Sequence, residues 1–216
     1  MKRFLTALAI CMLCACVALT ALACGEQPTD NDATENSVNR TDADSAGGNP
    51  IVQFRFSTGD VITVELYPDQ APISVANFLT YVNEGYYTGT VIHRVENYVV
   101  QGGGFVIKNY TYTQKGGTHE AIKGEFASNG VANSVSHTAG AISMARTTAP
   151  DSATSQFFFC PVDMSKSWDG SYAAFGHVTD QASLDAIVRL SQTETIEGST
   201  YPASAITVMS VTVISQ

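Results

Sequence analysis

Apolar and polar positions divide the chain into an unpatterned start and a long patterned region. Ile51-Val52-Gln53-Phe54-Arg55-Phe56 alternates, and so does Val61-Ile62-Thr63-Val64-Glu65-Leu66-Tyr67. A period of two puts one set of side chains on one face of a strand, and Ser57-Thr58-Gly59-Asp60 between them makes the pair a β-hairpin. Pro68 to Pro72 breaks the sheet. Val75, Phe78, Leu79 and Val82 then fall at helical spacing, with Ser74 as the N-cap and Gly85 as the stop. Thr90-Val91-Ile92-His93-Arg94-Val95 alternates again. After a polar break at Glu96-Asn97, a second apolar run, Tyr98-Val99-Val100, leads to Gln101 and three glycines.

Phe105 to Ser136 is rich in Gly, Thr and Asn and reads as long loops with a short strand around Ile122. Gly140 to Ala145, Gln156 to Cys160, Ala173 to Val178 and Ala205 to Ile214 are strand-like, and Ser183 to Leu190 reads as a short helix. The tally of about eight short strands and two helices predicts a mainly β fold, a closed antiparallel barrel with helices at its ends.

The start of the chain has a different character. Lys2-Arg3 followed by an apolar run from Phe4 to Ala23 reads as a secretory signal. Ala21-Leu22-Ala23-Cys24 resembles the lipoprotein cleavage box, in which the cysteine becomes the acylated N-terminus. Leu13-Cys14-Ala15-Cys16 fits that box better but leaves a very short apolar stretch before it, and an uncleaved membrane anchor is the other alternative. Residues 1–23 are therefore expected to be a signal peptide and Cys24 the lipidated residue, which places the protein outside the cytoplasm, anchored to the bacterial cell membrane. Residues 24–49 are acidic and polar, with Val38 as their one large apolar residue. They are expected to form a disordered linker. The folded domain is expected to span residues 50–216.

Composition narrows the chemistry. A net charge of −9 over 216 residues argues against nucleic-acid binding through phosphates. Four of the five cysteines lie in the apolar start, so Cys160 alone belongs to the domain. An intradomain disulfide and a multi-cysteine metal site are excluded. Cys160 follows three phenylalanines, the setting of a buried thiol rather than a nucleophile. Ser155 is not in a Gly-x-Ser-x-Gly elbow, the histidines lack metal-ligand spacing, and Gly102-Gly103-Gly104 lacks the ending of a phosphate loop. What remains is Arg94 and Gln101 beside an apolar set, Tyr98, Val99, Met144, Ala145, Phe158 and Trp168. Such a set suits a pocket for a small apolar ring with hydrogen bonds to a peptide. The bland alternative is a solvated Arg94 and a Phe run that is only core.

Five ordered motifs add to that reading: His93-Arg94-Val95; Gln101 to Phe105; Gly140 to Arg146; Asp151 to Phe158; and Asp169-Gly170 with Ala174 to Val178. With Ala76-Asn77-Phe78, they make residues 51–214 resemble a cyclophilin, the peptidyl-prolyl isomerase family, in its bacterial branch. The resemblance implies an eight-stranded closed antiparallel β-barrel capped by two helices, no cofactor, no metal, proline-containing polypeptides as partners, and a monomer. It implies that Arg94 is catalytic and that Gln101 holds a substrate carbonyl and helps position Arg94. Tyr98, Val99, Met144, Phe158 and Trp168 would line a proline pocket, and Ala145, Arg146 and Gln156 would touch the flanking peptide. Tyr172 stands at a position that is often His in the family.

The sequence departs from the family at the corner itself. Glu96-Asn97 replaces a Pro-Gly turn and the segment is one residue shorter. Tyr98 and Val99 stand for Phe and Met, and Trp168 is displaced by one position, leaving sensitivity to cyclosporin open. The expected function is isomerisation of Xaa–Pro bonds in secreted or cell-envelope proteins. The alternatives are a weakly active proline-peptide binding module or chaperone, and an adhesive surface lipoprotein.

Overall fold

A computed structural model describes residues 48–216. The expected signal peptide, nearly all of the linker, and Cys16 and Cys24 lie outside the described residues. The elements in chain order are β1 (Ile51–Phe56), β2 (Val61–Leu66), α1 (Pro72–Asn83), β3 (Val91–Ile92), β4 (Arg94–Glu96), β5 (Val99–Gly102), β6 (Phe105–Lys108), β7 (Thr111–Gln114), β8 (Ala141–Met144), β9 (Phe157–Phe159), α2 (Ser165–Trp168), β10 (Ala174–Val178), α3 (Gln181–Ser191) and β11 (Ile206–Ser215).

The sheet runs β4-β5-β9-β8-β10-β2-β1-β11-β3-β6-β7, every pairing antiparallel. Its barrel character comes from one extended run, Val91 to Glu96. The first half, β3, pairs with β11 and the second half, β4, pairs with β5. Only His93 separates them, and its N–H donates to the Gln101 carbonyl at 2.9 Å. With β3 and β4 taken as one strand, β1, β2, β5, β8, β9, β10 and β11 complete an eight-stranded antiparallel barrel.

Alternation fills the interior with one residue in two from each strand: Val52, Phe54 and Phe56; Ile62, Val64 and Leu66; Phe157 and Phe159. The Phe54 ring lies 5.2 Å from that of Phe157 and 5.3 Å from that of Phe159, the tilted and edge arrangements aromatic rings prefer. The same core takes Val75, Phe78, Tyr81 and Val82 from α1 and Ala186, Ile187 and Leu190 from α3. Burying each of the larger ones contributes roughly 1.5–3 kcal/mol.

Three sequence expectations change. Ser74 is not the N-cap of α1: the helix begins at Pro72, and Ala71 at the cap position offers no side-chain bond. The orphan N–H groups are met from a distance by the buried Glu125. Its carboxylate accepts from Ile73 N at 2.9 Å, Ser74 N at 2.7 Å and Ser74 Oγ at 2.6 Å. The stretch after Phe105 is not all loop, since β6 and β7 form a hairpin. Asn109 and Tyr110 turn it, both left-handed at φ 48° and 60°, so the loop lacks the usual glycine that signals such a turn. The short strand around Ile122 is reduced to a single bridge with Ala153.

Candidate active site

The β4–β5 ladder pairs Arg94 with Gln101, Val95 with Val100 and Glu96 with Val99, so Asn97-Tyr98 is a two-residue hairpin loop. Val95 and Val100 point into the barrel core. The alternate positions Arg94, Glu96, Val99 and Gln101 therefore share the outer face. In β9 the same alternation sends Phe157 and Phe159 inward and leaves Phe158 outside, in a second apolar cluster with Val99, Ala141 and Cys160. Tyr98, Ala145, Trp168 and Tyr172 pack against it. The site is thus built on the barrel's outer wall.

Arg94, Val99, Gln101, Ala145, Arg146, Phe158, Trp168 and Tyr172 line an open pocket. Phe158, 4% exposed, is its apolar base. Trp168 meets it edge-on with ring centroids 5.0 Å apart, and Tyr172 does so at 5.7 Å. Trp168 thus stands in the pocket wall despite its shifted place in the sequence. An adjoining groove shares Gln101, Ala145 and Arg146 with the pocket and adds Gln156, Gln114, Thr147 and Thr154. Gln156 belongs to this groove, where its Oε1 accepts from Gln101 Nε2 at 2.9 Å. A β-carbon at Gly104 would collide with the Gln156 side chain, so the missing side chain there is what lets Gln156 lie against β5.

Two expected pocket residues are placed elsewhere. Met144 is 2% exposed and belongs to the barrel core, beside a small cavity with Phe126 and Ala173. The reason is the strand period: Ile142 and Met144 face in, whereas Ala141 joins the outer cluster. Tyr98 packs on the outer cluster but does not line the pocket; its hydroxyl is turned to Arg94 instead.

The partners of Arg94 also differ from expectation. Its side chain is held by Glu96 and Tyr98 rather than by Gln101. Arg94 Nε donates to Glu96 Oε1 at 2.7 Å, Nη2 lies 2.6 Å from the same oxygen, and Nη2 donates to the Tyr98 hydroxyl at 3.0 Å. Tyr98 in turn donates to Glu96 Oε2 at 2.7 Å. Burial opposes the charge on Arg94, but the hydrogen bond and charge of Glu96 outweigh it and raise the guanidinium above its ordinary value. Arg146 lines both depressions, yet Nε and Nη2 donate to the Ser171 carbonyl and Nη1 to that of Thr147, and its guanidinium carbon lies 5.0 Å from the ring of Phe126 and 4.6 Å from that of Tyr172. It is a clasp that fixes the Tyr172 wall.

Beneath the pocket lies a network that sequence reasoning missed. The fully buried His137 pairs Nδ1 with Asp169 Oδ1 at 2.8 Å and Nε2 with Ser143 Oγ at 3.0 Å. Its ring stacks on Phe158 at 6.1 Å with 15° between planes. Burial lowers the pKa of His137 against the opposing pull of Asp169. The set has the composition of a hydrolase triad, but Ser143 is fully buried and no substrate reaches it. The network props up the base of the pocket. Ser143 and Asp169 lie within the ordered motifs, but their link through His137 is not visible in them, because Asp169 is 32 residues from His137 and meets it only in the fold. Cys160 is also fully buried, and burial pushes its thiol up to about 12, which leaves it without nucleophilic character. Among the described residues no group of three His, Cys, Asp or Glu side chains is placed to hold a metal.

Comparison with known proteins agrees with this geometry. The family model described as cyclophilin type peptidyl-prolyl cis-trans isomerase/CLD matches residues 51–213. A peptidyl-prolyl cis-trans isomerase of Acinetobacter baylyi is 44% identical over 135 residues, which are 60% of this chain and 66% of that protein. Peptidyl-prolyl cis-trans isomerase B of Escherichia coli is 46% identical over 114 residues, 52% of this chain and 63% of that protein. The chain thus spans just under two thirds of the length of these two curated relatives. A solved cyclophilin-type isomerase of Cryptosporidium parvum, crystallised in the presence of the dipeptide Ala-Pro, superposes with a TM-score of 0.64 at 24% identity, covering 77% of this chain and 99% of that one. A cyclophilin from Hirschia baltica gives 0.58 at 24% identity, over 76% of this chain and 73% of that one. With its barrel, its outer-wall pocket and the family model matched across nearly the whole described region, the chain belongs to the cyclophilin-type peptidyl-prolyl cis-trans isomerase family.

Proposed function

We propose that this protein is a peptidyl-prolyl cis-trans isomerase acting on Xaa–Pro bonds of polypeptides. The observation that carries the reading is Arg94 at the rim of an apolar pocket whose base is Phe158 and whose walls are Val99, Trp168 and Tyr172. Rotation about a prolyl amide must break resonance worth a barrier of ~18–20 kcal/mol, and it changes no covalent bond. The requirement is therefore a site that binds the twisted amide better than either planar isomer. The apolar pocket holds the proline ring. As the amide twists, the prolyl nitrogen regains its lone pair and accepts a hydrogen bond from the guanidinium of Arg94, a donor fixed in place and permanently charged. Gln101, held by Gln156, presents its remaining polar groups to the peptide at the boundary between pocket and groove.

The proposed setting is outside the cytoplasmic membrane, with the domain tethered through lipid on Cys24 and separated from the membrane by the acidic segment 24–49. Support comes from Lys2-Arg3, the apolar run and the Ala23-Cys24 junction. Mass spectrometry of the mature N-terminus distinguishes lipid on Cys24 from lipid on Cys16 or none.

The isomerase reading is tested by proline-limited refolding and by a peptide isomerisation assay with wild type and Arg94→Ala. Wild type accelerates the reaction, and the variant loses about a hundredfold or more in kcat/KM. No acceleration by wild type overturns the reading. A second reading, a proline-peptide binding module with weak turnover, is favoured by one observation: the charge of Arg94 is already paired with Glu96. NMR exchange spectroscopy separates the two, since a binding module takes up Xaa–Pro peptides without interconverting their isomers.

A further inference from the structure

Arginine is a poor fixed donor by itself. Its long side chain has many rotamers to lose, and a displacement of about 1 Å at a reacting centre costs up to a hundredfold in rate. Arg94 is 38% exposed along its side chain, so packing alone does not hold it. What holds it is hydrogen bonding to its own hairpin. Glu96 lies two residues along β4, on the same face of the strand, and takes both Nε and Nη2. The Tyr98 hydroxyl accepts the other Nη2 hydrogen and donates to the second carboxylate oxygen, which closes a ring of three side chains. Nε and Nη2 are thereby occupied, and Nη1 has no hydrogen-bond partner among the described residues.

We infer that Glu96, together with the Tyr98 hydroxyl, is a positioning residue that locks the Arg94 guanidinium and presents its Nη1 edge to the prolyl nitrogen. The assignment rests on the isomerase reading. It gives the shortened corner a purpose: with only Asn97-Tyr98 as the loop, Tyr98 is close enough to reach back to both Glu96 and Arg94. It also accounts for Gln101 bonding to Gln156 rather than to its cross-strand neighbour, since Arg94 is held without it. The tyrosine hydroxyl is indispensable to the ring, and phenylalanine there would leave one carboxylate oxygen and one guanidinium hydrogen without a protein partner.

The test uses the full chain and the variants Glu96→Gln and Tyr98→Phe, with two readouts. In the peptide isomerisation assay, Glu96→Gln lowers kcat about tenfold with KM within about twofold, and Tyr98→Phe lowers kcat by a smaller factor. In ¹⁵N NMR, the Arg94 Nε–H signal exchanges slowly with solvent in wild type and becomes fast in Glu96→Gln, while melting temperatures stay close. An unchanged or higher kcat in Glu96→Gln, or a rise in KM alone, overturns the inference. So does an Arg94 Nε–H signal that exchanges equally in both proteins. If wild type shows no isomerase activity, the isomerase reading fails by itself, and the NMR comparison still decides whether Glu96 locks Arg94.

Discussion

Arg94 and Gln101 stand directly opposite each other across the β4–β5 ladder, and their side chains are nevertheless held by different partners, Arg94 by Glu96 and Gln101 by Gln156. Two separate tasks follow from this division. On the proposed isomerase reading, Arg94 is assigned to the twisting bond and the glutamine pair to the peptide at the border between pocket and groove. Gln156→Ala removes one neutral hydrogen bond and frees Gln101. It is expected to raise KM about three- to tenfold with little change in kcat. A fall in kcat to the level of Arg94→Ala would show that the two pairs act as one unit.

Trp168 is the sole tryptophan of the chain and stands in the pocket wall. Its emission therefore reports occupancy directly. Titration with a short Xaa–Pro peptide is expected to give a saturable change in fluorescence, and the same peptide with proline replaced by alanine to give none. Val99→Phe, which fills the pocket from the β5 side, should abolish the response while leaving the barrel folded, because Val99 belongs to the cluster on the outer wall and not to the barrel interior.

Glu125 ties α1 to a distant loop through three hydrogen bonds, two of them to backbone N–H groups of the helix's first turn, and is 1% exposed. Glu125→Ala strips the helix start of its anion and leaves buried donors without partners. The expected loss is about 2–4 kcal/mol of stability, measured by urea denaturation. Ser74→Ala removes only one of the three bonds and should cost about 1 kcal/mol.

Among the described residues the buried Nδ1 of His93 has no hydrogen-bond partner, and its ring lies 4.4 Å from that of Phe105. Burial is the main cause of its pKa falling from 6.5 to about 4. The unfolded chain therefore binds a proton between those values that the folded chain refuses. The contribution of His93 to stability is complete above pH 6.5 and is lost as the pH falls toward 4, by up to roughly 3 kcal/mol. His137, also lowered by burial, adds to the same slope. Denaturation midpoints at neutral pH and near pH 4.5 measure the decline, and His93→Gln should flatten it.

Much of the barrel was legible in the chain because alternation is a local property. Each of Ile51–Phe56, Val61–Leu66 and Ile206–Ser215 declares its buried face by its own residues. The β6–β7 hairpin was not legible: its turn is Asn109-Tyr110 instead of a glycine pair, and its strands are only partly buried. Met144 shows the same limit from the other side. Its chemistry suits an apolar pocket as well as a core, and only the phase of β8 decides between them. The α1 start misled for a different reason, since Ser74 is a good local cap whereas Glu125 competes from a segment about fifty residues away.

By itself the sequence determined the strand pattern, the family and the residue types at the pocket: an arginine, a glutamine and an aromatic set in a fixed order. Those properties live in local periodicity and in ordered motifs, and both survive without knowledge of contacts. Only the tertiary structure decided which side chains share a face and which bond to one another. It put Arg94 in the grip of Glu96 and Tyr98, set Gln101 on Gln156, and hid the His137 network under Phe158. Hydrogen bonds and packing depend on where separate segments meet in space, and a meeting of that kind leaves no periodic trace along the chain.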